Sequence, residues 1–296
     1  MKPIHIIPVA ILLALSSCEE RINISTDDSA PGLVIYGYIA TDSASHPIRI
    51  TRSAGYFAET PPQGVSGAEA VIVSSGGERY QLTESAGEPG LYLTEPGVCG
   101  KVGETYTLRV SVNVDGNGPE HFEASSTLPP APTIDSIGFA PFTAHDRILQ
   151  VLLWGRTPQT SHVNYFSSHL YLNGALYNDS LGGFRISNDQ FLVSNEIKAV
   201  PLFFLNQERN RSRLSPGDTV TVRLEGIPAD YADFLTNAGN ELRGSNPIFD
   251  GPPANVPSNV RSLSEGSETL VLGFFAAYST TALSAVYENP AAGGSF

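Results

Sequence analysis

ETYTLRVSVNV, residues 104–114, decides how the chain is built. Tyr106, Leu108, Val110 and Val112 fall on one side of an extended backbone, Thr105, Thr107, Arg109 and Ser111 on the other. Strand side chains point to alternate faces, so this period of two predicts a strand with one buried face. Segments of the same kind surround it: LVIYGYIA (33–40), IRITRSAGYF (48–57), AEAVIVSS (68–75), RYQLTE (79–84), GLYLTEP (90–96) and HFEASSTL (121–128). Gly76-Gly77 between two of them is a hairpin signal. Seven strands at this spacing predict a β-sandwich over 33–128.

Pro129-Pro130-Ala131-Pro132 interrupts the pattern. Proline lacks the donor a sheet needs and stiffens a connection, so 129–132 reads as a linker. A second strand series follows, ending in DTVTVRLEGI and LVLGFFAAYS. Between these two lies IPADYADFLTNAG, with Ile227, Tyr231, Phe234, Leu235 and Ala238 at helical spacing. Pro228 suits a first turn, and Gly239 or Gly244 can end the helix. Residues 244–268, rich in Pro, Asn and Ser, read as a long loop. The expected architecture is mainly β: two sandwiches, Ig-like or transthyretin-like, at 33–128 and 133–290, the second carrying one short helix against a face or end.

The start of the chain is different. From Ile4 to Leu15 it is mostly apolar, about a dozen residues against the roughly 20 a membrane span needs. That length fits a secretory signal over 1–17. Leu15-Ser16-Ser17-Cys18 is the bacterial lipoprotein pattern, and predicts cleavage before Cys18 and acylation of its thiol. Several acyl chains on one cysteine make a durable anchor, since each buried methylene contributes about 0.8 kcal/mol. Residues 18–32 then form a polar tether. Glu19 and Glu20 either act as an export signal or simply keep that tether solvated.

Composition narrows the function. The chain has 17 basic and 30 acidic residues, net −13. Losing 1–17 removes only Lys2, leaving 16 basic residues against 30 acidic. Such a chain repels phosphate backbones, which excludes nucleic acid as a partner. With Cys18 acylated, Cys99 has no intramolecular partner, and stability rests on the core.

No nucleophile elbow, HExxH, P-loop or dinucleotide fingerprint is present, and no two histidines stand at ligand spacing. No catalytic residue, metal or cofactor is expected. His145-Asp146 reads as a solvated turn. Asp230 and Asp233 share a helix face, as paired carboxylates would, but acids near a helix N-terminus also favour its dipole. Arg209, Arg211 and Arg213 in RNRSR either grip a carboxylate or phosphate or belong to a solvated loop. Trp154, Tyr165, Phe166, Tyr171 and Tyr177 are candidate stacking surfaces, or core. In GSNPIFDGPPANVPSNV (244–260), Ile248 and Phe249 either face a partner or pack onto the second sandwich. Asp followed by Ser or Thr and an apolar residue recurs, placing Ser29, Ser43, Ser136, Ser180 and Thr219 in candidate O-glycosylation sites; turn chemistry produces the same pattern.

The order of these motifs carries a resemblance. The lipoprotein cysteine with Glu19-Glu20, LVIYGYI, SAGYF, VSGAEAVIV, GETYTLRVSV, TLPPAPTIDSI, GIPADYADFL and LGFFAAYS together resemble the Bacteroidota lipoproteins grouped as domain-of-unknown-function family 4249, over roughly residues 18–280. That family has no assigned activity and supplies no catalytic residues. Its members are often encoded beside TonB-dependent outer-membrane transporters. The resemblance therefore implies a surface-exposed outer-membrane lipoprotein, accessory to a β-barrel transporter in nutrient uptake. A structural or adhesive envelope protein and a surface hydrolase built on Asp230 and Asp233 are the other readings.

If Cys18 is the acylated residue, Cys18→Ala abolishes incorporation of labelled palmitate and removes the protein from the outer-membrane fraction. Label retained on the variant places the anchor elsewhere.

Overall fold

The structure, a computed structural model, describes residues 32–53, 61–114, 118–179, 183–242, 256–264, 266–267 and 269–288. Cys18, Glu19, Glu20, Ser29, Ser180, Ile248 and Phe249 lie outside them. The first half contributes β1 (Leu33–Ala40), β2 (Pro47–Arg52), β3 (Glu69–Ser74), β4 (Arg79–Gln81), β5 (Thr83–Glu84), β6 (Leu91–Leu93), β7 (Thr105–Asn113) and β8 (Pro119–Thr127). The second contributes β9 (Thr133–Phe142), β10 (His145–Arg156), β11 (Tyr165–Leu172), β12 (Ala175–Leu176), β13 (Arg185–Asn188), β14 (Glu196–Asn206), β15 (Thr219–Ile227), α1 (Ala229–Leu242), β16 (Arg261–Ser262) and β17 (Val271–Val286).

β7 behaves as its alternation requires. Tyr106, Leu108, Val110 and Val112 are buried, Arg109 is exposed, and the strand pairs with β3 and β8. A five-stranded sheet, β16-β8-β7-β3-β4, packs on one half of a nine-stranded sheet. RYQLTE divides between the two layers: β4 pairs β3 in one sheet and β5 pairs β6 in the other. Leu33, Ile35, Ile39, Ile48, Ile50, Ile72, Tyr106 and Phe122 fill the space between them.

The second half of the nine-stranded sheet, with β11 and β15 at its centre, faces the three-stranded sheet β14-β10-β9. Leu149, Val151, Leu153, Leu170, Phe203, Val220 and Val222 form this second core.

One strand joins the halves. Val271–Tyr278 of β17 pairs in parallel with β1, and Ser279–Val286 pairs antiparallel with β15. The alternation runs through without a break. Phe275 and Ala277 enter the first core, and Leu283 and Ala285 stand opposite Val222 and Val220 of the second. Both smaller sheets therefore cover the same face of the large one. The other face, with Phe274, Ala276 and Tyr278, meets α1. Backbones approach closely at this seam: a Cβ on Gly273 (φ 101°) would lie 2.2 Å from the Ile35 carbonyl oxygen.

Four expectations change. The boundary at 129–132 separates the cores but not the chain, because β17 and the segment around Val260 complete the first core from beyond it. The prolines do not hang free: a Cβ on Gly226 would meet the Pro130 carbonyl oxygen at 2.2 Å, so 129–132 lies against β15. The helix covers the junction rather than the second sandwich alone, packing Tyr231, Ala232 and Leu235 against Ala40, Phe274 and Tyr278. The end of the long loop belongs to the first sandwich: Asn259 bonds both the N–H and the carbonyl of Phe275, and β16 pairs with β8.

Across β8, Glu123 accepts from Arg261 Nη2 at 2.8 Å and from Arg109 Nε at 3.0 Å. Arg261, then Arg109, hold its carboxyl below the usual range. A carboxyl depressed in the folded state stabilises it above the unfolded value, about 4.3, and less as pH falls through the folded one. Glu123→Gln should lower the melting temperature at pH 7 by roughly 2–4 °C. In parallel melts that difference should shrink as the pH is lowered below the unfolded value and through the depressed folded one.

Candidate functional site

Polar residues gather in two places, both on the second half of the nine-stranded sheet. The first lies on the α1 side. Successive same-face positions of β11 and β15 bring Ser167 and His169 beside Glu225 and Arg223. His169 Nε2 donates to Glu225 Oε2 at 3.1 Å, and Arg223 Nε makes a charge contact with Glu225 Oε1 at 3.3 Å. Arg223 Nη2 also donates to Asp42 Oδ2 at 2.6 Å. Asp42 follows β1, so this ion pair ties the first half to the second. Its other oxygen accepts from Thr280 Oγ1 at 2.6 Å. Burial opposes the charge on Arg223, but Glu225 and Asp42 outweigh it and raise its pKa.

Ser167, His169 and Glu225 hold the residue types of a nucleophilic triad but not its geometry. Ser167 Oγ and Glu225 Oε2 both approach the same imidazole nitrogen, Nε2, at 3.1 Å. A relay needs the acid on one ring nitrogen and the serine on the other. Ser167 and Glu225 therefore compete for one ring nitrogen instead of flanking the imidazole. All three are buried. The arrangement is a structural clamp.

The second place is an open groove of about 710 Å3 along the side of the second sandwich. Tyr177, Phe184, Arg185, Phe204, Arg209 and Arg211 line it. The loop after β14 fixes two of the arginines. Buried Ser212 donates to the Asn206 carbonyl at 2.7 Å, and Gln207 bonds Leu205, Ser212 and Leu214. Arg211 donates to Asp179 Oδ2 at 2.6 Å and lies 5.7 Å above the Tyr177 ring. Arg185, on the inner face of edge strand β13, stands 5.9 Å from the Phe203 ring centre. Neither Arg185 nor Arg209 has an acidic partner among the described residues.

Of the arginines read from the sequence, Arg209 and Arg211 therefore meet in one groove, while Arg213 is exposed outside its lining. Arg185 was missed; only the pairing of β13 with β11 brings it there. Asp230 and Asp233 are exposed on α1, and neither lines the arginine groove. Trp154 is half-buried, on the face of β10 away from the core, its ring seated where Gly138 lacks a Cβ. His145 opens β10 rather than lying in a loop. Ser43 and Ser136 are exposed, Ser136 within β9, and Thr219 begins β15 half-buried. Cys99 is an exposed free thiol. Among the described residues no group of three or more His, Cys, Asp or Glu is placed to hold a metal.

Removing one member of a buried ionic group leaves the others uncompensated. Glu225→Gln should therefore cost about 3 kcal/mol, the low end for buried pairs, because Arg223 stays partly wet. Asp42→Asn, at the wetter end, should cost less than about 1 kcal/mol. Denaturant titration of both variants checks the order; equal losses would show that burial does not set the strength of the clamp.

No curated protein matches the sequence. Among solved structures, the FN1–FN3 domains of chicken CNTN1 align at 14% identity and TM-score 0.26, over 66% of this chain and 62% of that one. A DUF4785 family protein from Legionella pneumophila aligns at 12% identity and TM-score 0.24, over 63% and 49%. A cytokine receptor complex gives 10% identity and TM-score 0.23, over 66% and 84%. The chain thus spans about half the length of the Legionella protein and 62% of the CNTN1 fragment. The family described as domain of unknown function (DUF4249) matches residues 19–284, and with nearly all of the β body inside that match the chain belongs to this family.

Proposed function

We propose that this protein is an outer-membrane lipoprotein, anchored through Cys18, that binds a ligand and acts with a TonB-dependent β-barrel transporter in nutrient uptake. The observation that carries the reading is the open, arginine-lined groove of the second sandwich, in a chain whose residues 15–18 fit the lipoprotein pattern. The anchor pattern Leu15-Ser16-Ser17-Cys18 ends an apolar segment too short to span a membrane. Among the described residues no helix is long and apolar enough to do so either. A polar tether gives the β body freedom to reach a neighbour in the same membrane.

The strand β17 is shared by both sandwiches, and the Asp42–Arg223 pair adds a link between them. A rigid body of this kind suits presentation of a bound ligand to a fixed partner, because little ordering entropy is lost on docking. A structural or adhesive role would use the same anchor and sandwiches. It gives no account of a groove in which Arg185 and Arg209 have no acidic partner among the described residues of an acidic protein.

Mild detergent extraction of the native membrane, followed by affinity capture of the full-length protein, should bring down a β-barrel transporter in near-stoichiometric amount. Cys18→Ala should lose that partner while its soluble body keeps the wild-type melting temperature. Capture of the intact lipoprotein with no barrel, from membranes where barrel and lipoprotein are both expressed, rejects the transporter reading.

A further inference from the structure

Arg185 and Ile186 line two spaces at once. One is the arginine groove; the other is a cleft of about 250 Å3 between the sheets of the second sandwich. The cleft is apolar where the groove is basic: Leu153, Phe166, Ile197, Leu202 and Leu224 form its walls, and Leu192 stands at its rim. The sandwich is open here because its two edges do not meet. β13 is only four residues long, and β14 carries register shifts and Ala199 at φ 50° opposite β10.

The connection between these edges is unusual for an exposed segment. Phe191 is 87% exposed, Val193 is fully exposed, and Leu192 between them is 42% exposed. Three consecutive apolar side chains in water are a cost that soluble surfaces rarely carry without a use. Leu192 places this apolar tip at the rim of the apolar cleft. The basic groove begins on the other side of Arg185.

We infer that the open side of the second sandwich binds a small amphiphilic anion, its carboxylate or phosphate held by Arg185 and Arg209 and its apolar chain lying in the cleft. Guanidinium groups pair with such oxyanions through parallel N–H donors. Arg185 and Arg209 have no acidic partner among the described residues, whereas Arg211 already serves Asp179. The buried apolar chain supplies the remaining affinity, and Phe191-Leu192-Val193 gives it an apolar path in. The inference deepens the reading of the groove as a ligand site and does not depend on the identity of the transporter. A free acid or alkyl phosphate and an anionic membrane lipid share this chemistry.

The test uses the whole mature chain with Cys18→Ser, which carries no acyl chains of its own. Calorimetric titration with hexyl, octyl and decyl phosphate should show affinity rising about fourfold per methylene until the cleft is filled. Decanoate should bind, and inorganic phosphate should bind far more weakly. Arg209→Ala and Arg185→Gln should each weaken decyl phosphate tenfold or more, and Leu192→Asp should flatten the chain-length dependence. Arg209 and Leu192 lie at the surface, so those two variants decide the matter if Arg185→Gln melts early. Phosphatidylglycerol transferred from vesicles to the protein assigns the membrane as the source; uptake of the free amphiphiles alone assigns a soluble one. Binding that ignores chain length, binding unchanged in all three variants, or no binding of any amphiphile overturns the inference. Those failures, with the barrel still co-purifying, would leave the transporter reading standing. Amphiphile binding without a barrel would do the reverse.

Discussion

The fold depends on β17 having two different partners along its length. A strand of this length spans about 50 Å, long enough to run through two sandwiches in succession. Its hydrogen bonds go to β1 over Val271–Tyr278 and to β15 over Ser279–Val286. Because the side-chain period is two and no bulge interrupts it, one face of β17 supplies both cores and the other receives the helix. A slip of one residue would send Phe275 to the helix and Phe274 into the first core, so the register is fixed in both halves together. Gly273 permits the close approach to Ile35 at the start of the shared strand, and the Asp42–Arg223 pair sits beside the point where partners change.

Parallel pairing explains the composition of β1. Strands covered on both faces read as nearly continuous apolar runs. LVIYGYIA is such a run because Leu33, Ile35 and Ile39 face the first core, while Tyr36 and Tyr38 face the layer that holds α1. Tyr36 and Tyr231 share a hydrogen bond between their hydroxyls at 2.8 Å, and burial raises the pKa of both, so each phenol stays neutral under the helix. The apolar layer beneath α1 grades into the ionic cluster around Glu225 on the same sheet face. That gradient turns a packing surface into a clamp.

Much of this was legible in the sequence, and what was not has a common cause. Alternation in β7 and helical spacing in 227–238 are local properties, and both gave the right element. Partner choice is not local. Nothing in LVLGFFAAYS says that its first residues lie beside β1, more than 200 positions earlier, or that the strand continues to Val286. The same limit hid Glu225 within TVRLEGI and Arg185 within a strand of four residues, because each acquires its role only from the neighbour that pairing provides. RNRSR was visible as a basic cluster, yet the sequence could not separate Arg209 and Arg211, which turn into the groove, from Arg213, which does not. The proline stretch at 129–132 was rightly read as a change of core. It did not reveal that the last strand would cross back.

The parallel seam between β1 and β17 also sets an order of events during biosynthesis. Of the described strands β1 is made first and β17 last, and every other described strand lies between them in the sequence. Until residue 278 has been synthesised, the edge of β1 that β17 will occupy has unpaired amide and carbonyl groups. Contacts of such long sequence separation form late, and a waiting apolar edge invites pairing with other chains. Premature termination anywhere before β17 should therefore yield a sticky product rather than a smaller working one. Neither sandwich is complete without β17, because the first core takes Phe275 and Ala277 from it and β15 of the second pairs with its later half.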